Sequence, residues 1–277
     1  MNKAYKKKII ITGGRGLLGS NFYIRYKKKF NIIRYPYRIE HFSKFQKWIR
    51  NKDFDYFIHF AALTKSESIK RRKSLNLINV KSTLNIIESL NRENIKNFKY
   101  FLFISSSHVY GTSSKKIKEN KKTTPNNSYG LSKKKVEDFI FKNRKKYKFK
   151  IGVARVFNST GPKQKIGNFV PDMIKKIKKN NFIDNVNQYR DFIHIDDVMD
   201  SLMLLIKKKF YRPINISSGK KINLTQVCKI INQTYVKKNI IFGKKRGKDL
   251  YGDNKLLKSI GKRKFNNIYQ IIKSFKK

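Results

Sequence analysis

The stretch Lys8-Ile9-Ile10-Ile11-Thr12-Gly13-Gly14-Arg15-Gly16-Leu17-Leu18-Gly19 decides the fold. Lys8–Thr12 is a short β-branched run that ends at glycines, the pattern of a strand entering a turn. From Leu17 to Lys29, the residues Leu18, Phe22 and Tyr26 recur at helical spacing. A strand, then Gly13-x-x-Gly16-x-x-Gly19, then a helix is an arrangement for a pyrophosphate. The missing side chains let the backbone approach it, and the helix N-terminus supplies N–H groups and a positive dipole. Gly13, Arg15, Gly16, Leu17 and Gly19 are therefore candidate contacts to a dinucleotide. A glycine-rich turn that binds nothing is the plain alternative, and the strand before it and helix after it weigh against that.

Working outward, strands are expected at Asn31–Tyr35, Asp55–Ala62, Lys99–Ser105 and Lys150–Phe157. Helices are expected at Glu40–Arg50, Asn76–Leu90 and Tyr129–Lys142. Such alternation implies an α/β fold with a Rossmann-type, doubly wound parallel sheet. Beyond Gly161-Pro162 the alternation weakens, with helical stretches at Val170–Lys178 and Leu224–Thr234. The chain thus reads as a nucleotide-binding domain over residues 1–160 and a smaller C-terminal substrate-binding domain over 161–277. Segments near 190–218 are expected to return to the first domain. No internal repeat is evident.

The second strand bears on the choice of cofactor. NAD sites usually place Asp or Glu about 20 residues after the first glycine, on the ribose hydroxyls. Here the window reads Ile33-Arg34-Tyr35-Pro36-Tyr37-Arg38, with no acid before Glu40. Guanidinium groups suit a 2′-phosphate, so Arg34, Arg38 and Arg15 favour NADP over NAD.

Tyr129-Gly130-Leu131-Ser132-Lys133 sets Tyr and Lys four apart, on one face of a helix. A nearby ammonium favours the phenolate, so the Tyr129 pKa is expected below its ordinary value. Such a tyrosine can exchange a proton with a sugar hydroxyl or ketone. Ser106 follows an apolar strand, where its hydroxyl can polarise the same oxygen. Tyr-x-x-x-Lys alone is common in a chain with this much Tyr and Lys, and a surface helix is its plain reading.

Bulk properties set outer limits. The 277 residues suffice for one large α/β domain or a domain with a smaller partner. The single cysteine, Cys228, allows no internal disulfide and fits a reducing compartment. No apolar run approaches a membrane span, and Ile9–Ile11 is too short for a signal-peptide core, so a soluble cytoplasmic protein is expected. The formal charge is +50. Lysines occur in short runs along the whole chain (Lys6–Lys8, Lys27–Lys29, Lys133–Lys135, Lys207–Lys209) rather than in one tail or helix. That spread argues for compositional bias and against a dedicated nucleic-acid surface.

In order along the chain stand Thr-Gly-Gly-Arg-Gly-Leu-Leu-Gly-Ser (12–20), Asp-Tyr-Phe-Ile-His-Phe-Ala-Ala (55–62), Asn-Val-Lys-Ser-Thr-Leu-Asn (79–85) and Ser-Ser-Ser-His-Val-Tyr-Gly (105–111). Tyr-Gly-Leu-Ser-Lys (129–133), Arg-Val-Phe-Asn-Ser-Thr-Gly-Pro (155–162), Arg-Asp-Phe-Ile-His-Ile-Asp-Asp-Val (190–198) and Asn-Ile-Ser-Ser-Gly (215–219) follow. With these blocks the chain resembles the extended short-chain dehydrogenase/reductases, the NAD-dependent epimerase/dehydratase family that acts on nucleotide sugars. The resemblance implies Tyr129 as acid/base, Lys133 on the nicotinamide ribose, and Ser106 on the reacting oxygen. It implies Ala61 and Ala62 along the cofactor cleft, Asn79 supporting the active-site backbone among the cofactor residues, and Phe157 near the nicotinamide. Ser107, His108, Asn158 and Arg190 would face the substrate, Arg190 near its diphosphate, although Arg-Asp pairs also brace folds. A homodimer is the protein partner it implies; no metal is expected.

The resemblance also narrows the reaction. The family's 4,6-dehydratases carry an Asp-Glu pair just after the catalytic hydroxyl, where Ser107 and His108 stand here, which argues against dehydration. Reductases that also epimerise a 4-keto sugar hold an extra acid/base near His108, against the plainer reading of a histidine satisfied by backbone groups. The acidic ribose contact of the family's 4-epimerases is not evident, and the segment Arg34 to Lys52 is short and shows no clear strand with an acid for the adenine. An NADP-dependent 4-keto sugar-nucleotide reductase is therefore expected first, a 4-epimerase with tightly bound NAD second. A non-catalytic Rossmann sensor or RNA-binding protein is the alternative of another class.

Overall fold

The computed structural model describes residues 6–93 and 95–276. Its centre is a six-stranded parallel sheet built from β1 (Lys8–Thr12), β2 (Asn31–Arg34), β3 (Tyr56–His59), β4 (Tyr100–Ser106), β5 (Lys150–Val156) and, later in the chain, the strand Pro213–Ile216. The spatial order is β2-β1-β3-β4-β5 and then the late strand. The chain leaves β1 toward β2 and then returns to place β3 on the other side. That reversal opens a crevice at the carboxyl ends of β1 and β3, the usual ligand position in an open α/β sheet.

The triple isoleucine shows why the sheet is covered on both faces. Ile9 and Ile11 join one fully buried cluster with Ile58, Leu102 and Ile216, whereas Ile10 joins the other with Phe57, Phe101 and Val153. Alternate residues of a strand point to opposite faces, so a run of three apolar residues serves both layers. The first layer is α1 (Leu17–Tyr26) with the helix Ile195–Lys208. The second comprises α2 (Phe42–Ile49), α5 (Ser82–Arg92) and α6 (Ser128–Asn143). Before α5 come two short helices, α3 (Lys65–Lys70) and α4 (Arg72–Asn76). A separate apolar cluster gathers Val170 and Ile177 of α7 (Phe169–Lys179) with Leu224, Val227 and Ile231 of the helix Leu224–Tyr235.

Three departures from the sequence expectations matter. The helix expected over Asn76–Leu90 is interrupted by a π turn, Leu77–Lys81. Such bulges are frequent at functional sites, and this one carries Asn79 into the interior. The helix α3 is not foreshadowed by any apolar periodicity; a capping box of Thr64 and Glu67 starts it. The strand at 213–216 lies in the main sheet, but the strand Phe192–His194 pairs with β6 (Asn158–Thr160) in a small sheet of its own. Among the described residues, no helix is long and apolar enough to cross a membrane.

Candidate active site

The glycine loop closes on itself and on β3. Gly13 has φ of 66° and its backbone lies so near the chain after β3 that a Cβ would sit 2.6 Å from the Ala61 nitrogen. A Cβ on Gly19 would meet the Gly13 carbonyl oxygen at 2.4 Å. Gly16 caps α1 with no side-chain partner for the first helical N–H groups. The loop is thus a cradle of bare backbone at a helix N-terminus, with Leu17 half-buried behind it, and it fits a pyrophosphate.

Two of the three arginines expected beside this cradle are free to serve it. Arg15 is exposed in the loop. Arg34 lies against Gly14 and over the Tyr23 ring, 4.4 Å from its centroid. Arg38 instead pairs with Glu40 at 2.7 Å, so part of its charge is spent. Although partial burial raises the Glu40 pKa, its backbone N–H and Arg38 hold it below the ordinary carboxylate value. The sequence window stopped short of this acid, two residues past Arg38.

A buried chain of hydrogen bonds fixes the cleft floor. The Ala61 N–H donates to Thr12 Oγ1 at 3.3 Å, and Thr12 Oγ1 meets His59 Nδ1 at 2.9 Å. On the other side His59 Nε2 meets Thr83 Oγ1 at 3.0 Å, and Thr83 donates to the Asn79 carbonyl at 3.0 Å. Because Thr83 donates onward, Nε2 carries the imidazole proton and Nδ1 accepts from Thr12. Burial, then Lys133, push the His59 pKa down to about 3, so the ring stays neutral.

Asn79 is fully buried, and its side chain is fully engaged. Its Oδ1 accepts from Leu63 N at 2.7 Å, and its Nδ2 donates to Leu63 O at 3.0 Å and Ser132 Oγ at 3.1 Å. It clamps the segment after Ala62 onto α6 rather than reaching into the cleft. Ala61 and Ala62 are half-buried at the cleft edge.

Ser106 ends β4, and Tyr129 stands in the first turn of α6, capped by Asn127, whose side chain accepts from Gly130 N at 2.8 Å. The Ser106 hydroxyl lies close enough to act on that of Tyr129. Burial pushes the Tyr129 pKa up to about 12, Ser106 opposes this, and Glu67 of α3 adds to it. The lowered value expected from the Tyr-x-x-x-Lys spacing is therefore not found. Lys133 instead turns its ammonium onto the Ile104 carbonyl at 2.8 Å, above the Phe103 ring. Burial pulls the Lys133 pKa down to about 7 against the pull of Glu137 one turn on.

His108 faces Tyr129 edge-on, with ring centroids 5.9 Å apart, and its Nδ1 lies 3.4 Å from Asn127 Nδ2. The backbone-satisfied histidine of the plain sequence reading is thus not what the structure has. Burial, then Lys65 and Arg190, lower its pKa to about 4. Ser107 is buried beside it.

Arg190 is half-buried and has no carboxylate within 4 Å among the described residues. It donates to the carbonyls of Tyr189 and Lys248 and to Gln188 Oε1. The brace of the Arg-Asp pair is its neighbour: Asp191 is fully buried and accepts from Ser218 N, Ser218 Oγ and Gly219 N at 2.8–2.9 Å. Asn158 donates to the Asp191 carbonyl at 2.9 Å and, with Arg190, lines a cavity of about 350 Å³. Phe157, expected near the nicotinamide, buries its ring with Val109, Tyr110, Ile117 and Leu250, and its N–H donates to the Ile216 carbonyl. Two cations escaped the sequence reading. Lys65 opens α3 and its charge reaches Arg190 and His108. Arg246, paired with Asp249 at 2.7 Å, lies near enough to Arg190 to lower its pKa, although burial is the larger cause. Their only sequence signal was charge, which is everywhere in this chain.

The sequence pattern of the NAD dependent epimerase/dehydratase family matches residues 9–217. A GDP-6-deoxy-D-talose 4-dehydrogenase of Aggregatibacter actinomycetemcomitans is 29% identical over 252 residues, 85% of this chain and 84% of the relative. A structure of RMD from Pseudomonas aeruginosa complexed with NADPH superposes with a TM-score of 0.84 at 20% identity, covering 97% of this chain and 96% of that one. A UDP-N-acetylglucosamine 4-epimerase of Methanobrevibacter ruminantium superposes with a TM-score of 0.83 at 21% identity, covering 97% of both chains.

Proposed function

The chain belongs to the NAD dependent epimerase/dehydratase family, and we propose that within it the protein is an NADP-dependent reductase of a 4-keto sugar nucleotide. The observation that carries this reading is the meeting of Ser106 at the end of β4, Tyr129 in the first turn of α6 and Lys133 four residues on, with the His108 ring facing Tyr129. A protonated tyrosine hydroxyl is an acid waiting for a base, and the oxygen of a ketone becomes one as the carbonyl carbon takes a hydride and the π electrons move to oxygen. Bound on the glycine cradle, the dinucleotide supplies that hydride. Tyr129 gives its proton to the sugar oxygen, which leaves a phenolate. Ser106 shares the same oxygen and fixes its distance from Tyr129. Lys133, four residues on and one turn below, stabilises the phenolate when its ammonium swings from the Ile104 carbonyl toward the cleft. Asn79 positions Leu63 and the first turn of α6 without touching substrate. Arg34, beside Gly14 and with no acidic partner within 4 Å among the described residues, and Arg15 favour a 2′-phosphate, while Arg38 is largely committed to Glu40.

Arg190, with Lys65 and Arg246 nearby, suits the diphosphate of a nucleotide sugar. A second reading rests on His108. A neutral imidazole facing Tyr129 can take a proton from a carbon beside the ketone, so epimerisation before reduction fits the same site. The decisive experiment supplies NADPH and a nucleotide-linked 4-keto-6-deoxy sugar and follows both cofactor and sugar. Stoichiometric oxidation of NADPH, faster than of NADH, is expected. Interconversion of UDP-sugars with no net change in cofactor would overturn the reading in favour of an epimerase.

A further inference from the structure

The cavity that Asn158 and Arg190 share is lined also by residues of the smaller core. Phe169, Met173, Phe192 and Leu224 give it apolar walls, a fit for a planar ring. Two charged side chains line it as well: Lys176 of α7 and Asp184, which follows the short strand Phe182–Ile183. Both are half-buried. Neither has a hydrogen bond or ion pair for its charged end among the described residues, and they do not pair with each other within 4 Å. The chain passes Asp184 at Gly243, where a Cβ would collide with the carboxylate. An unpaired acid is unusual in a chain with 67 basic and 17 acidic residues.

We propose that Asp184 reads the base of the sugar-nucleotide carrier and that this base is guanine; the inference rests on the nucleotide-sugar reading above. A carboxylate only accepts hydrogen bonds, and it accepts two at once. Guanine presents two adjacent donors, N1–H and the 2-amino group, with the O6 acceptor beside them. That edge matches a carboxylate with an ammonium lining the same cavity. Uracil and thymine present one N–H flanked by two carbonyls, which a carboxylate repels. Adenine and cytosine each offer one donor next to a ring-nitrogen acceptor. Arg190, at the active-site end of the same cavity, is then on the side of the diphosphate.

The test is calorimetric titration of the full chain, preloaded with NADPH, with GDP, IDP, UDP and dTDP. Inosine lacks the 2-amino group and so isolates one of the two hydrogen bonds. GDP should bind about 10- to 100-fold more tightly than UDP or dTDP, with IDP between. In Asp184→Asn the preference for GDP over IDP and UDP should fall at least about tenfold, with NADPH affinity and melting temperature unchanged. Tighter binding of UDP or dTDP than GDP overturns the assignment of the base while leaving the reductase reading intact. An equal loss for all four diphosphates in Asp184→Asn also overturns it, because the carboxylate then holds the ribose. Binding of NADPH but of none of the four overturns both readings.

Discussion

Lys133→Met is expected to remove activity and yet stabilise the protein at neutral and acid pH. Lys133 is 3% exposed, and burial lowers its pKa from 10.5 to about 7. At about 1.4 kcal/mol per unit, holding the ammonium inside the fold costs roughly 3–5 kcal/mol below pH 7. Methionine removes that cost but leaves the buried Ile104 carbonyl without its 2.8 Å donor, a loss of about 1–3 kcal/mol. The burial cost is the larger, so the variant should gain about 1–3 kcal/mol at pH 6. The sign reverses at high pH. Between the native value near 7 and 10.5, the unfolded chain binds one proton more than the native one. Wild-type stability therefore rises with pH in that window by up to about 1.4 kcal/mol per unit relative to the variant. The two curves should cross near pH 9. Urea unfolding of both proteins from pH 6 to 9.5 measures the gap. An exposed control, Lys145→Met, subtracts the effect of one charge fewer in a chain of net charge +50. A variant less stable than wild type at pH 6, or a gap that does not narrow above pH 7, refutes the reasoning.

Tyr129→Phe should lower kcat by roughly 10²- to 10⁴-fold, the usual worth of a positioned acid, while fluorescence titration shows NADPH affinity unchanged; loss of both together would mean the hydroxyl supports the cleft instead. Arg34→Ala should weaken NADPH about tenfold and leave NADH unaffected, whereas an equal loss for both cofactors would mean that Arg34 serves mainly to cover Tyr23. Asn79→Ala should destabilise the fold by about 1–3 kcal/mol, since the Leu63 N–H is left buried and unpaired, and should raise KM for NADPH; a melting shift near zero would remove Asn79 from the positioning role.

The fold was legible where local pattern and burial coincide. Ile9–Ile11 read as a strand because three β-branched residues before a glycine have few other uses, and that strand feeds both core layers. The Tyr129–Lys133 pair was found by spacing, but spacing does not say where a long flexible side chain ends. Lys133 has four methylenes, enough to reach the Ile104 carbonyl, and so the electrostatic expectation for Tyr129 came out with the wrong sign. The π turn at Leu77–Lys81 was not legible, since one extra residue shifts the apolar phase within a single turn, too short a stretch to stand out from the helical pattern around it. Arg246, Lys65 and Asp184 belong to a kind of site that only chain reversal makes: they stand more than fifty residues apart in sequence and meet around β8 (Tyr189–Arg190) and the adjoining cavity. His59 was quoted within its strand, but nothing local marked it as the centre of a buried relay between Thr12 and Thr83.

The charge of the chain, which first obscures the site, sharpens it once burial is known. With 67 basic residues a surface lysine says nothing about function. The acids are informative because they are few. Glu137 holds Arg155 at 2.6 Å in the interior, Asp197 takes Lys262 and Asn266, and Asp191 takes three backbone and hydroxyl donors. Each of these acids has a donor that explains its position, and each lies away from the Tyr129 hydroxyl. Around His108 the pattern inverts: Arg190 lowers the Lys65 pKa, and Asp249 acts on Arg190 only from beyond 4 Å. Unpaired cations in a partly desolvated cleft are held against their mutual repulsion, and an anion that binds there relieves it. The same logic applied to the opposite sign points to Asp184, a carboxylate that pairs with no lysine among the described residues and lines a cavity instead. A site that is cationic at one end and carries one free carboxylate at the other fits a ligand with a diphosphate in its middle and a donor-rich base at its far end.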